Sequence, residues 1–164
     1  MISRTVTINA SILSKNISLL LGMNAIDYQT GTVSQITSPG LKPQFAVNII
    51  EPGGIYANRI KIIATEPDSE VKLDNIKTSE SDLFVSAKGK LMLGHITTNR
   101  HLIAKAPAII IPATSEVLSQ QNLLLESNNL INQGKVTAKQ YIHLFNNLIS
   151  NQGESAKIAA YNNL

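Results

Sequence analysis

The 164-residue sequence contains no cysteine and no tryptophan, and aromatic residues make up only 4% of it. Without cysteine the chain can form neither a disulfide framework nor a thiolate metal site. The charged fraction of 15% is low against the roughly 25% that is usual in soluble domains. The formal net charge of +3 comes from scattered lysines and arginines. Because no basic stripe is interleaved with aromatic residues, we expect no nucleic-acid partner.

Long hydrophobic runs are also missing. The longest nearly apolar stretches, at residues 19–21 and 108–111, are far shorter than the roughly 20 residues that cross a bilayer. We therefore expect a chain that does not span a membrane. The amino terminus lacks the charged region and apolar stretch of a signal peptide. If the protein acts outside the cell, its export signal is expected to lie outside these residues.

Isoleucine, leucine, valine and alanine supply most of the hydrophobic content of 43%. Apolar and polar residues alternate in several short segments, which predicts strands with one buried face. The predicted strands cover residues 6–12, 17–21, 45–49, 60–64, 83–87 and 102–106. Between them, the glycines, Pro39 and Pro43 of residues 22–44 indicate a long surface excursion.

An internal repeat has a period of about 20 residues. Residues 122–134 match residues 141–153 at an offset of 19, which places Leu123 on Ile142 and Leu125 on Leu144. In the same register, the turn and ladder residues Asn132 and Gly134 correspond to Asn151 and Gly153. Upstream, Leu83 and Leu102 are 19 residues apart, Leu102 and Leu123 are 21 apart, and Ile76 and Ile96 are 20 apart.

This period predicts an all-β fold, a right-handed parallel β-helix with coils of about 20 residues. Apolar side chains of successive coils would form ladders inside it. Asn75, Asn132 and Asn151 are expected at turns, where asparagine tolerates left-handed backbone and stacks its amide. Leucine-rich repeats share the period, but their Leu-x-x-Leu-x-Leu-x-x-Asn pattern does not recur here.

The carboxyl-terminal segment, residues 135–164, allows two interpretations. Thr137 and Gln140 have the spacing of a helix capping box, and Tyr141, Leu144, Phe145 and Leu148 would share one helical face. The register match with residues 122–134 favours strand, and strand is our prediction.

Residues 52–66 resemble a segment of the filamentous haemagglutinins, Gly-Gly-Met-Tyr-Ala-Asn/Gly-Lys-Ile-x-Leu-x-Gly-Thr-Glu. The match is carried by Gly53, Gly54, Tyr56, Ala57, Asn58, Ile60, Thr65 and Glu66. Its flanks are similar as well, at residues 7–10, Asp27 with Tyr28, and residues 45–48. Downstream, residues 82–91, 149–153 and 157–160 resemble repeat units of that family, so the resemblance covers nearly the whole chain.

The resemblance implies a segment of a surface-exposed or secreted bacterial adhesin that mediates attachment. Residues 1–66 would end a secretion-domain-like β-helix, and residues 67–164 would begin the repeat shaft of one continuous solenoid. Implied partners are an outer-membrane two-partner-secretion transporter and a receptor or glycan on a host or neighbouring cell. An alternative that the resemblance also implies is the stalk of a contact-dependent growth inhibition toxin-delivery protein. A second alternative follows from the fold alone, since some β-helical proteins are carbohydrate-active enzymes.

Motifs for catalysis are weak, and we predict no catalytic, cofactor-binding or metal-binding residues. His95, His101 and His143 lack metal-ligand spacing and are expected at turns or on the surface. Residues 66–70 alternate carboxylates as some calcium loops do, but a solvated acidic loop is the preferred interpretation. Gly53 and Gly54 are expected to supply positive φ in a tight turn, and Tyr56 to cap the core. The open coil ends are predicted edges that invite self-stacking.

Overall fold

The computed structural model describes residues 1–27, 29–36 and 40–161. All the regular secondary structure in these residues is β-strand. Among these residues no helix is present that could cross a membrane. Seventeen strands are joined by parallel pairing, and two more form a separate antiparallel hairpin. The strands are β1 (Ile2–Ser3), β2 (Val6–Ile8), β3 (Ser11–Leu21), β4 (Asn24–Ile26), β5 (Val33–Gln35), β6 (Phe45–Ile49), β7 (Gly54–Ala64), β8 (Glu70–Leu73), β9 (Ile76–Thr78), β10 (Leu83–Ala87), β11 (Leu91–Leu93), β12 (Ile96–Thr98), β13 (Leu102–Lys105), β14 (Ala108–Ile111), β15 (Glu116–Ser119), β16 (Leu123–Asn132), β17 (Lys135–Ala138), β18 (Ile142–Asn151) and β19 (Lys157–Ala160).

The parallel strands form a β-solenoid of about seven turns, with about 21 residues per turn. We call each turn a coil and number the coils from the amino terminus. A typical coil contributes one strand to each of three sheets, as β10, β11 and β12 do to the first, second and third sheet. Strands β3 and β7 run from the third sheet into the first, while β16 and β18 run from the first into the second.

The observed register agrees with the predicted repeat. Leu83 pairs with Leu102, Leu102 with Leu123, and Leu123 with Ile142. The predicted offsets are therefore confirmed, and so is the parallel solenoid; its handedness stays a prediction. One interior column in each sheet illustrates the stacking: Ile17, Ile60, Leu83, Leu102, Leu123 and Ile142 in the first; Val6, Val47, Val71, Leu91, Ile109, Leu130 and Ile149 in the second; Ile12, Ile55, Ile76, Ile96, Val117, Val136 and Ile158 in the third.

The buried apolar core of the described residues consists only of isoleucine, leucine, valine and alanine. Three sheets enclose the interior, and register partners on successive coils lie about 4.8 Å apart, so their aliphatic side chains stack in contact. Burying one such aliphatic side chain contributes roughly 1.5–3 kcal/mol. The low aromatic content of the sequence agrees with this wholly aliphatic buried core.

The chain leaves the solenoid after Leu21 and rejoins it at Phe45, which confirms the predicted surface excursion. Strands β4 and β5 pair within it as an antiparallel hairpin. Two residues used in the sequence interpretation, Tyr28 and Pro39, lie outside the described residues. The excursion belongs to the second coil, at the corner between the first and second sheets.

Two elements differ from those predicted. The alternative helix near residues 137–153 is wrong, because β18 pairs in parallel with β16 from Ile142 to Asn151. The single strand predicted at residues 6–12 is divided, because β2 ends at Ile8 and the chain turns a corner before β3 begins at Ser11.

Candidate functional site

Two glycines open the segment that carries the family resemblance, at the corner between the second and third sheets. A β-carbon at Gly53 would collide with the carbonyl oxygen of Ile8, and one at Gly54 would lie 2.7 Å from the carbonyl oxygen of Asn75. Neither glycine has a positive φ, so the expectation of left-handed backbone is wrong. These positions require glycine because backbones of neighbouring coils approach closely there.

The middle of the segment alternates between the interior and the surface. Ala57 and Ile60 point inward and are 6% and 0% exposed. Tyr56 is half-buried on the outer face of the third sheet and does not cap the interior. Asn58 lies at the corner before the first sheet, where its Nδ2 donates to Glu80 Oε2 at 2.8 Å.

Thr65 and Glu66 end the segment at the base of the excursion. Thr65 Oγ1 lies 3.1 Å from the Leu21 carbonyl oxygen and 2.9 Å from Asn24 Oδ1. Arg4 binds Glu66 through Nη2 to Oε1 at 2.7 Å and through Nε to Oε2 at 3.1 Å. Because the second coil swings outward here, the corners of the first and third coils can meet. We call the Arg4–Glu66 pair the clamp.

Only 6% of Glu66 is exposed, so the expectation of a solvated acidic loop is wrong for this residue. Asp68 instead pairs with Lys42 at 2.7 Å, and Glu70 pairs with Lys90. Each carboxylate of the acidic segment thus has its own cationic partner. No group of three potential metal ligands is assembled anywhere in the described residues.

The repeat asparagines form a short amide ladder. Asn132 is fully buried and takes the interior position that Ile111 occupies in the preceding coil. Its Nδ2 donates to Asn151 Oδ1 at 2.7 Å, so the predicted amide stacking is present. Neither residue has left-handed backbone, however, and of the three predicted asparagines only Asn75 does, with φ of 51°.

The two repeat glycines serve different purposes. A β-carbon at Gly134 would collide with the carbonyl oxygen of Pro112, so close packing requires glycine there. Gly153 has a φ of 123°, a conformation that L side chains rarely adopt. Their shared place in the sequence repeat therefore does not mean a shared conformation.

The outer face of the third sheet carries a shallow trough that crosses four coils. Its central column is formed by Tyr56, Lys77, Thr97 and Leu118, which are register partners on β7, β9, β12 and β15. Two depressions, with volumes of about 280 and 340 Å³, share Lys77 and Thr97 and together make up the trough. Neighbouring corner residues give it two polar rims.

One rim contains Asn75, His95 and Glu116. Asp74 Oδ1 lies beside this rim and accepts hydrogen bonds from the His95 backbone N–H at 2.7 Å and its ring Nδ1 at 3.1 Å. Burial of Asp74 opposes ionisation, but these hydrogen bonds and that of the Asn75 backbone outweigh it, so the pKa of Asp74 is lowered. Within the described part of the chain, Lys77 and Glu116 have no side-chain partner.

The other two histidines lie away from this rim. His101 is at the corner between the third and first sheets, where its backbone N–H donates to Asp82 Oδ1 at 3.1 Å. His143 is exposed on the first sheet. The structure therefore does not bring the three imidazoles together.

The last coil, formed by β18 and β19, presents an open edge. These strands pair with β16 and β17 on one side, and no described strand pairs with them on the other. Several large apolar side chains are exposed in this coil. They are Tyr141, Phe145, Leu148, Ile149 and Tyr161, with exposures of 43–62%.

Comparison with known proteins finds similarity to parts of very long bacterial proteins. The tRNA nuclease CdiA of Yersinia mollaretii is 30% identical over 128 residues, which are 78% of this chain and 4% of that protein. The tRNA nuclease CdiA-2 of Burkholderia pseudomallei is 33% identical over 97 residues, or 58% of this chain and 3% of that protein. Toxin CdiA of Escherichia coli is 36% identical over 92 residues, which are 56% of this chain and 3% of that protein.

The chain thus spans about 3–4% of the length of the curated relatives that it matches. The nuclease activity in two of those names belongs to the whole proteins, and a match to so small a part does not show that this segment is catalytic. No protein-family model matches the chain. No solved structure matches it either.

Proposed function

We propose that this chain is a segment of the β-helical stalk of a contact-dependent growth inhibition protein. One observation carries the proposal: a chain that folds as stacked coils is similar over most of its length to tRNA nuclease CdiA. Two-partner secretion through an outer-membrane transporter, and display at the bacterial cell surface, are parts of the same proposal.

The architecture suits a stalk for physical reasons. Apart from contacts around the excursion, each coil contacts only its neighbours, so length grows with the number of coils and no closed core limits it. At about 4.8 Å per coil, seven coils extend about 35 Å along the axis. The open edge of the last coil supports stacking of a further coil, either from the same polypeptide or from another copy.

An adhesin is the function that the sequence resemblance first suggested. The similarity to CdiA proteins favours a delivery stalk, because the relatives are contact-dependent inhibition proteins. For a carbohydrate-active enzyme, hydrolysis requires two facing carboxyl groups. Among the described residues that line the trough, Glu116 is the single carboxylate, so the trough lacks such a pair.

The division at residue 66 is also a proposal. Residues 1–66 would end a secretion-domain-like region, and residues 67–164 would begin the shaft. Glu66 is the last residue of the first part, so the clamp and the excursion belong entirely to it. The solenoid continues across the division from β7 to β8.

A segment exchange tests the stalk proposal. The matched segment of Yersinia mollaretii CdiA is replaced by the corresponding residues of this chain. We expect the chimaera to reach the cell surface, measured by protease digestion of intact cells, and to inhibit target cells in co-culture. If the separate 164-residue chain shows the circular dichroism of β-structure and the chimaera is still not displayed, the proposal is refuted.

Two neighbouring leucines provide matched controls for the exchange. Leu125 is fully buried, whereas Leu124 points outward from the same strand. Leu125→Asp buries a charge and should abolish display, while Leu124→Asp should retain it. Equal behaviour of the two chimaeras would mean that display does not depend on folded coils.

A further inference from the structure

The trough runs along the solenoid axis and is bounded by strands that are already paired. The strands beneath Tyr56, Lys77, Thr97 and Leu118 each have a parallel neighbour on both sides. Their backbone groups are used in these ladders, so a peptide cannot bind here as an added strand. Side chains alone must recognise an occupant.

The chemistry of those side chains differs from that of the other outer faces. The outward column of the first sheet in the fourth to sixth coils is apolar, with Phe84, Ile103 and Leu124. The trough instead presents amide, hydroxyl and imidazole groups, with Lys77 and Glu116 as opposite charges. Tyr56 and Leu118 add apolar area to these polar groups, so the surface suits an occupant that offers both C–H and hydroxyl groups.

The ring of Tyr56 lies close to the backbone of the glycine two residues before it. A β-carbon at Gly54 would lie only 3.0 Å from Tyr56 Cε2, so the ring uses the space that glycine leaves. The Tyr56 hydroxyl makes no hydrogen bond with any residue that the structure describes. The ring is therefore a partly exposed aromatic platform at one end of the trough.

We propose that the trough binds an extended oligosaccharide of uncharged, β-linked hexoses, with Tyr56 as the stacking platform. The C–H groups of a pyranose ring carry partial positive charge and pack favourably on the negative face of an aromatic ring. Register positions on successive coils recur at about 4.8 Å, which is comparable to the advance per sugar in such a chain. Rim amides, hydroxyls and charged groups can then bond to successive sugar hydroxyls.

A titration with the intact chain tests this site. The ¹⁵N-labelled protein is titrated with cellohexaose and with chitohexaose at millimolar concentration. At least one of them should shift the amide signals of Tyr56, Lys77 and Thr97. Tyr56→Ala should weaken binding about tenfold, whereas Tyr56→Phe should stay within about threefold because it keeps the ring.

Phe84→Ala is the matched control, since it removes a half-buried aromatic ring from the outer face of another sheet. It should leave sugar affinity unchanged. The proposal is overturned if neither hexasaccharide shifts these signals, if the shifts lie elsewhere, or if Phe84→Ala weakens binding as much as Tyr56→Ala. Any of these results would leave the stalk proposal intact, because the segment exchange does not involve sugar binding.

Discussion

Leu125→Ala should destabilise the solenoid substantially. Leu125 is fully buried in an interior column of the first sheet, between Ala104 and Leu144. Truncation of a buried leucine costs about 2–5 kcal/mol, and the cost falls where the surroundings can relax. Because Leu144 lies in the last coil and is only partly buried, we expect about 2–3 kcal/mol.

The adjacent Leu124 provides the comparison. It points outward between Ile103 and His143 and is only half-buried, so Leu124→Ala should cost less than about 1 kcal/mol. Urea unfolding followed by circular dichroism gives both values. Because stacked repeats can unfold one coil at a time, hydrogen exchange of the β16 backbone amides is measured as well, to detect such local unfolding. If Leu124→Ala were the more damaging change, the assignment of inward and outward faces would be wrong.

Two further predictions concern charged groups. Arg4→Met leaves Glu66 buried without its partner and should lower the urea midpoint of unfolding, though by less than the loss of a fully buried pair would, because the Arg4 side chain is 36% exposed. The exposed Lys42 is the control, and Lys42→Met should cost below about 0.5 kcal/mol; equal losses would contradict the clamp. Since the pKa of Asp74 is lowered by folding, its contribution to stability is present above about pH 4 and is lost as the pH falls through the folded-state pKa. Asp74→Asn should therefore lose less stability than the wild type between pH 5 and pH 2, and an identical loss would refute this.

The register of the coils was predictable because the sequence repeats in phase. The recurrence of Asn132 and Gly134 as Asn151 and Gly153 fixed one offset, and leucine spacing gave two others. The helical alternative failed for a physical reason. A strand over residues 142–151 gains a complete parallel ladder on β16, whereas an isolated amphipathic helix would leave that edge unpaired.

Contacts between distant residues were not predictable. Glu66 was expected in solvent because its neighbours in sequence are polar, and its partner Arg4 lies 62 residues away. The two meet only because the excursion removes the second coil from that corner. The requirement for glycine at Gly53 likewise arises from the carbonyl of Ile8 in another coil, which no local turn pattern reveals.

The trough was also beyond sequence analysis. Tyr56 was singled out by the family resemblance, but its outward position follows from the inward positions of Ile55 and Ala57 on either side. Its neighbours Lys77 and Thr97 are 21 and 41 residues away in the chain and carry no shared motif. Only the stacking of three coils places them in one column.

A disulfide cross-link tests the stacking of the coils most directly, and the absence of native cysteine removes background. Ile103 and Leu124 are register partners on an outer face, at an offset of 21 residues. Glu126 is two residues out of register, where Cα atoms lie roughly 7–8 Å apart, too far for a disulfide. On oxidation, Ile103→Cys with Leu124→Cys should form an intramolecular disulfide detected by mass spectrometry, and Ile103→Cys with Glu126→Cys should not. Preferential cross-linking of the second pair would contradict the register on which the solenoid and its proposed role as a stalk depend.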